Sequence, residues 1–480
     1  MDKFSLIIFL SYFISFLLII SVACFQRKDP IVSVAWILCF IAFPVIGPLL
    51  YIIFGLGLKS HTKKQYEQKF DQASKTDVRL NKQLNFEDKS AYNEKYADMI
   101  NYMKVHGRSA IYDNNELQIF TKAEDKYNSV LKDIENARKN INLLYFIVRD
   151  DEIGNKIIDA LIKKANEGVA VRFLYDGLGS ILTNQKIFKK LKKAPNTHVA
   201  EFFPVKVFSF SKINHRNHRK IIVIDGEIAY LGGMNIGEEY MGRGKPSPWR
   251  DTHIRICGEA VGQVQKYFLF DWEFSTGENL TQRFKEFFRT KTDVENTLPM
   301  QIVASGPESD AEEIKFGMLK MINNAKKYIY IQTPYFVPDP SFLTALRLAS
   351  ESGIDVRVMI PGIPDKKYVY HTTLSYVGEL IESGVRVYSY PGFLHSKTMV
   401  CDDDVVTIGT TNIDTRSFVL HFEINAFIYD KETAKENKNI FINDIIGSTL
   451  ITKELYEKRK KEHPISYMLD GFFRLFSPIM

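Results

Sequence analysis

Cysteine is scarce. The four in 480 residues, Cys24, Cys39, Cys257 and Cys401, have no C-x-x-C or other paired spacing. That excludes a disulfide framework or a zinc ribbon and suits a reducing compartment. There is no H-E-x-x-H and no G-x-x-x-x-G-K-[ST] phosphate loop, which removes the common zinc-hydrolase and nucleotide-binding readings. Charge of one sign is also in short supply. Lys plus Arg number 63 against 57 Asp plus Glu, a balance of +6, too weak over this length for a nucleic-acid binder and compatible with mild attraction to an anionic lipid surface. With only 27 Gly and 17 Pro, 45% apolar residues and 25% charged, low complexity and disorder are excluded. The length, about three times a ~150-residue domain, predicts two or three folded units.

One region does not fit an ordinary globular average. Residues 4–25 carry no charge over 22 positions, and residues 31–58 form a second uncharged run of 28, interrupted by Pro44, Gly47, Pro48, Gly55 and Gly57. At ~1.5 Å per helical residue the first run can cross a ~30 Å hydrocarbon core. It is too long for a signal-peptide core of about 7–15 residues. Residues 1–58 are therefore expected to form a membrane hairpin of two hydrophobic helices, the second kinked or re-entrant at its prolines. Arg27 and Lys28 lie in the short loop, whereas Lys3, Lys59, Lys63, Lys64, Lys69 and Lys75 flank the hairpin, so both ends are expected on the cytoplasmic side.

Residues 59–110 are polar and read as a helical connector. Beyond them, strand, helix and strand patterns recur twice: 143–148, 154–168 and 169–177, then 328–337, 341–353 and 354–362. The expected fold is α/β, with two duplicated halves, 111–295 and 296–450, built on mostly parallel sheets around one shared active site. Residues 451–480 form a basic and amphipathic tail.

A chemical repeat supports the duplication. His218, Lys220, Asp225, Gly232 and Asn235 each recur 177 residues later as His395, Lys397, Asp402, Gly409 and Asn412. On a strand, residues two apart share a face, so each His–Lys pair can look into one cavity. The aspartates, placed at turns, read chiefly as strand terminators that bind nearby backbone. Two imidazoles, two ammonium groups and two amides suit a phosphodiester. One neutral imidazole can attack phosphorus while the other, protonated, supplies the leaving alkoxide, and the lysines offset the charge of the non-bridging oxygens. No metal or cofactor is needed. Asp251 and Glu423 are the carboxylates chosen to orient the rings. His215 is the further candidate for head-group binding. His61, His106, His198 and His463 read as surface or core residues and His253 as structural, while His371 and His421 are unassigned.

These residues resemble the paired HKD motifs of the phospholipase D superfamily. FFPVK, NHRKIIVIDG, GGMNIG, WRDTHIRICGEAV, TPYFVPD, GFLHSKTMV and TNIDTRSF resemble the bacterial cardiolipin synthase family over nearly the whole chain. The resemblance implies a bacterial cell-membrane phosphatidyltransferase, multi-pass with its catalytic part cytoplasmic. It would join two phosphatidylglycerol molecules into cardiolipin and release glycerol, with phosphatidylglycerol and anionic membrane lipid as its partners and no nucleic acid. Carried onto this sequence, it makes His218 the nucleophile, His395 the general acid and then base, and places Lys220, Asp225, Lys397 and Asp402 in the catalytic motifs, with Asn235, Asn412, Asp251 and Glu423 supporting. A membrane-bound phospholipase D that hydrolyses phospholipid to phosphatidic acid is the alternative. A nuclease of the same superfamily would need stronger basic patches, and an inactive scaffold would not need both motifs intact. In the tail, Ile465, Met468, Leu469, Phe472, Phe476 and Ile479 fall on one helical face behind Lys458–Lys461. That pattern fits either a last helix packed on the catalytic unit or one lying at the lipid interface.

Overall fold

The computed structural model describes residues 3–25, 30–55, 57–58, 62–68, 94–205, 213–280, 287, 294, 297–309 and 311–480. Most of the loop bearing Arg27 and Lys28, and the flanking Lys59, Lys69 and Lys75, lie outside these residues. At the N-terminus, α1 (Lys3–Ile20) continues as a wider helical turn over Ser21–Phe25, and α2 (Pro30–Ala42) is followed by α3 (Ile46–Leu50). Pro44 has no N–H to extend α2, and its carbonyl instead accepts from Ser15 Oγ at 2.9 Å. Trp36, Phe40 and Tyr51 pack with ring centroids 5.0–6.2 Å apart, while Phe9, Phe13, Phe16, Leu38 and Ile41 are exposed. The result is a packed helical hairpin with an apolar outer surface. Among the described residues no helix is long and apolar enough to cross a membrane.

The connector holds more core than expected. Met99, Ile100 and Met103, spaced as one face of α4 (Ala97–Val105), and Tyr96 just before it are buried with Met318 and Phe427 of the second half. Tyr66 donates to Asp271 Oδ1 at 2.8 Å. Polar composition over the whole segment hides this local helical stripe.

The first half contributes β1 (Tyr112–Phe120), β2 (Asn140–Tyr145), β3 (Ala170–Asp176), β4 (Thr197–Phe202), β5 (Ile221–Ile224), β6 (Ile228–Gly232), β7 (Trp249–Arg250) and β8 (His253–Gly258). The second contributes β9 (Thr297–Ser305), β10 (Tyr328–Gln332), β11 (Phe336–Val337), β12 (Asp355–Pro361), β13 (Arg386–Tyr390), β14 (Phe393–Leu394), β15 (Thr398–Cys401), β16 (Val405–Gly409), β17 (Ile413–Asp414), β18 (Glu423–Ile428) and β19 (Thr449–Leu450). Fifteen of these form one sheet, in the order β19-β13-β12-β10-β15-β16-β18-β9-β1-β8-β6-β5-β2-β3-β4. Outward from the antiparallel β9–β1 seam the two halves repeat one order. The duplication thus reaches from sequence to topology.

The expectation of mostly parallel sheets fails. Only β2–β3, β3–β4, β10–β12 and β12–β13 are parallel in this sheet, and its other neighbours are antiparallel. The cause lies in the motifs themselves. Asp225 and Gly226 (φ 55° and 67°), and Asp402 and Asp403 (φ 58° and 56°), take the left-handed conformation that closes a tight hairpin. Each HKD strand therefore folds back on its successor, as β5–β6 and β15–β16. The buried α5 (Val261–Thr276) packs across the sheet in the central core. At the C-terminal end, α6 (Lys367–Glu382) carries α7 (Lys453–Glu462) and α8 (Pro464–Arg474).

Candidate active site

Each histidine stands at the entrance of its motif strand and is fixed by the opposite half. Asn217 forms a parallel bridge with Phe422, in which His218 N donates to Phe422 O at 2.9 Å and Phe422 N to Arg216 O at 2.9 Å. In the pseudo-symmetric position β7 pairs with β14, and His395 N donates to Arg250 O at 2.6 Å. These stitches place each ring beside a carboxylate of the other half. His218 Nδ1 lies 2.9 Å from Glu423 Oε1, and His395 Nδ1 lies 2.7 Å from Asp251 Oδ2. With Nδ1 held in this way, Nε2 is the ring nitrogen left toward the cavity.

The backbone makes room for both carboxylates. A Cβ at Gly233 would stand 2.0 Å from Asp251 Oδ1, so only glycine leaves space for that side chain. Thr410, one motif repeat later, instead donates its hydroxyl to Glu423 Oε2 at 2.5 Å. Both histidines, Asn235 and Asn412 line one cavity of about 1370 Å³. Asn235 donates to the Tyr240 hydroxyl and accepts from Ile147 N at 3.0 Å, and Asn412 hydrogen-bonds the Asp414 carboxylate. Their amides therefore brace the wall as well as facing the cavity.

Burial, then Lys220, pushes the His218 imidazole well below its ordinary range. Burial and Lys397 push His395 down to about 4, against the attraction of Asp251. Burial raises the Glu423 carboxyl to about 8, opposed by Lys220 and the Thr410 hydrogen bond. Lys220 is held well below the usual lysine range by burial, and Lys397 is pushed down to about 8 for the same reason. Both ammonium groups donate at 2.5 Å to the carbonyl of the histidine two residues earlier. The site is thus a desolvated pocket with two lysines behind its rings, whose charged forms a bound anion favours.

Other expected residues sit elsewhere. Asp225 accepts from the amides of Arg138, Lys139 and Asn140 at 2.7–2.9 Å. Asp402 accepts from Lys326, Lys327 and Tyr328 at 2.6–2.9 Å. Each carboxylate closes the far end of a motif strand onto the start of its neighbour, outside the cavity wall. His215 also misses the cavity. Arg216 and His218 line it, and the alternation of extended chain turns His215 away, burying its Nδ1 3.2 Å from Leu420 O.

His421, to which the sequence assigns no role, lines the cavity with its ring centroid 5.8 Å from that of His218. Its counterpart two residues before Asp251 is Trp249, which with Tyr240 and Phe393 packs 5.5–5.9 Å from His395. One ring therefore has a polar neighbour and the other an aromatic box. Spacing from the carboxylates is the signal that finds both. Among the described residues, His218, His421 and Glu423 form the group whose ligand atoms, within 4.8 Å of one another, could hold a metal ion. Two of these three already bind each other. Phe472, Phe473, Phe476 and Met480 of the tail complete the cavity wall.

The sequence matches the family described as cardiolipin synthase, PLD-like domain, over residues 130–272 and 318–445. It matches the phospholipase D-nuclease N-terminal family over residues 13–55. It is 41% identical to a cardiolipin synthase of Oceanobacillus iheyensis and 42% identical to the major cardiolipin synthase of Bacillus subtilis, with 99% of both chains covered in each case. Among solved structures, a phosphatidylserine synthase of Haemophilus influenzae aligns over 80% of this chain and all of its own, with a TM-score of 0.60 at 17% identity, a likeness of fold.

Proposed function

The chain belongs to the phospholipase D-like cardiolipin synthase family, and from that premise we propose that it joins two phosphatidylglycerol molecules through a phosphatidyl-His218 intermediate. The observation that carries the reading is the crossed pairing, His218 with Glu423 and His395 with Asp251, on one cavity. His218 Nε2 attacks phosphorus. The bond from phosphorus to the head-group glycerol breaks, and the His395 imidazolium gives its Nε2 proton to the departing oxygen. Neutral His395 then takes the proton of a hydroxyl on the second phosphatidylglycerol. The resulting alkoxide displaces His218, whose nitrogen recovers its electron pair, and cardiolipin leaves.

Electrostatics support this order of roles. Asp251 favours charge on His395, whereas the largest influences on His218 all oppose charge. A bound phosphodiester anion offsets the buried lysines and raises His395 toward protonation. The chain is membrane-associated in this reading. The apolar outer face of the N-terminal hairpin is embedded in the bacterial cell membrane, and the basic flanks keep the catalytic part cytoplasmic.

Purified protein reconstituted in phosphatidylglycerol vesicles with chelator tests the assignment. Cardiolipin and glycerol should appear in equal amounts, and neither His218→Ala nor His395→Ala should make either. A phosphatidyl adduct trapped in the parent should map to His218. Phosphatidic acid as the main product would overturn the transferase reading in favour of hydrolysis.

A further inference from the structure

A helix on the surface of a water-soluble unit normally buries its apolar stripe and shows its polar face. In α8 and the two residues that follow it, Leu475 and Phe476, that order is reversed. Ile465, Met468 and Leu475 are 74%, 72% and 75% exposed, and Leu469, Phe472 and Phe476 complete an outward stripe. The opposite face mixes aromatic and polar groups and is tied down, with Phe473 stacked on His371 and Tyr467 edge-on to Tyr456. Asp470, buried, pairs with Arg459 of α7 at 2.6 Å and with His371 of α6 at 2.7 Å. Arg474 pairs with Glu379 at 2.5 Å and lies over the Tyr376 ring. Ser477 Oγ meets Tyr376 OH at 3.0 Å, and Arg416 N donates to Met480 O at 3.0 Å. The helix is held rigidly with its apolar side outward.

The same stripe reaches the active site. Phe472 and Phe476 are partly exposed on the stripe and also line the cavity. Across from them, Ile363 and Tyr368 are 42% and 45% exposed and line it too. Lysines flank both borders, Lys366 and Lys367 beside Tyr368, and Lys460 and Lys461 before α8. An apolar rim edged by cations matches a bilayer surface, with acyl chains under the apolar side chains and anionic head groups at the lysines.

We propose that α8 and the 363–368 rim form a bilayer-docking surface that seats the cavity mouth on an anionic membrane and lets lipid pass along Phe472 and Phe476 to the paired histidines. This rests on the lipid-transfer reading for what passes through the mouth, not for the docking itself. Full-length Leu475→Trp, in phosphatidylglycerol vesicles carrying acyl-brominated lipid, should be quenched at least twofold more than Leu348→Trp, an exposed leucine on a different helix. Equal quenching overturns the proposal whether or not the protein is active. In a second arm, Ile465→Asp, Met468→Asp and Leu475→Asp are combined. Glycerol release from bilayer phosphatidylglycerol should fall at least tenfold in kcat/KM, while release from short-chain phosphatidylglycerol dispersed as monomers stays within twofold. An equal fall on both substrates would make the helix a structural wall only, and no fall on either would leave it no role in docking. Because transfer and hydrolysis both release glycerol, phosphatidic acid in place of cardiolipin would overturn the activity reading and leave docking standing.

Discussion

At the scale of single residues, the HKD motif divides into two kinds of work. His and Lys stand at the cavity end of a strand, and Asp stands at the other end, accepting three backbone N–H bonds. Asp402→Ala should therefore cost roughly 2–4 kcal/mol of stability, since it strips charge-assisted bonds and orphans buried donors. Its kcat should stay within about threefold of the parent, and thermal inactivation in detergent followed by turnover of the surviving fraction measures both. A pH signature accompanies it. Burial raises the Asp402 carboxyl, but the Lys95 hydrogen bond and the three amides outweigh this and hold it below the ordinary aspartate value. The stabilisation is then complete above the unfolded pKa of about 3.9 and is lost as pH falls through the lower folded value. Acid sensitivity in that range should be weaker in Asp402→Ala. On the alkaline side, Lys397, pushed down to about 8, loses its proton and with it part of the attraction for the phosphodiester. We expect kcat/KM to decline above about pH 8, with the limb displaced upward in Lys397→Arg. Glu423 titrates in the same range, so the limb belongs to the coupled site.

At the scale of elements, the turn after β6 sets the chemistry by what it leaves out. Gly233→Ala puts a methyl group where Asp251 Oδ1 sits, 2.0 Å from the glycine's notional Cβ. The carboxylate must move, and His395 loses its orienting partner. A fold that remains intact by circular dichroism, with kcat lowered about 10²-fold, is the expected outcome, because misplacement on the order of 1 Å near a reacting group has that cost. Unchanged turnover would separate Asp251 from catalysis. The strand and helix patterns near 143–177 and 328–362 were legible because strong periodicity survives burial. Strand direction was not, because apolar runs carry no orientation. The information lay in the Asp-Gly turn of the first motif, whose significance for a hairpin is easily eclipsed by its place in a catalytic signature. The broken second limb of the N-terminal hairpin was legible at Pro44. The core stripe of α4 was hidden by its polar neighbours.

At the scale of the whole molecule, the duplication explains why each half is incomplete. The constant offset of 177 residues between motifs was enough to infer a shared site, and the carboxylates 33 residues past His218 and 28 past His395 could be nominated from the need to orient each ring. The exchange of those carboxylates between halves was not readable, because spacing along the chain does not reveal which half's segment crosses the β9–β1 seam. In the structure, His218 depends on Glu423 and His395 on Asp251, and the bridges at Phe422 and Arg250 carry those partners across. Both histidines face one cavity and each is backed by a carboxylate of the same chain, so a chain lacking either histidine cannot be repaired by a neighbour unless the halves exchange between molecules. Mixing His218→Ala protein with His395→Ala protein in the same vesicles should therefore restore no more cardiolipin than either alone. Co-refolding the two tests the exchange directly, since swapped halves would rebuild an intact site in some molecules. Recovery in the simple mixture would show that the seam opens in the native state and that the cavity is assembled between chains rather than within one.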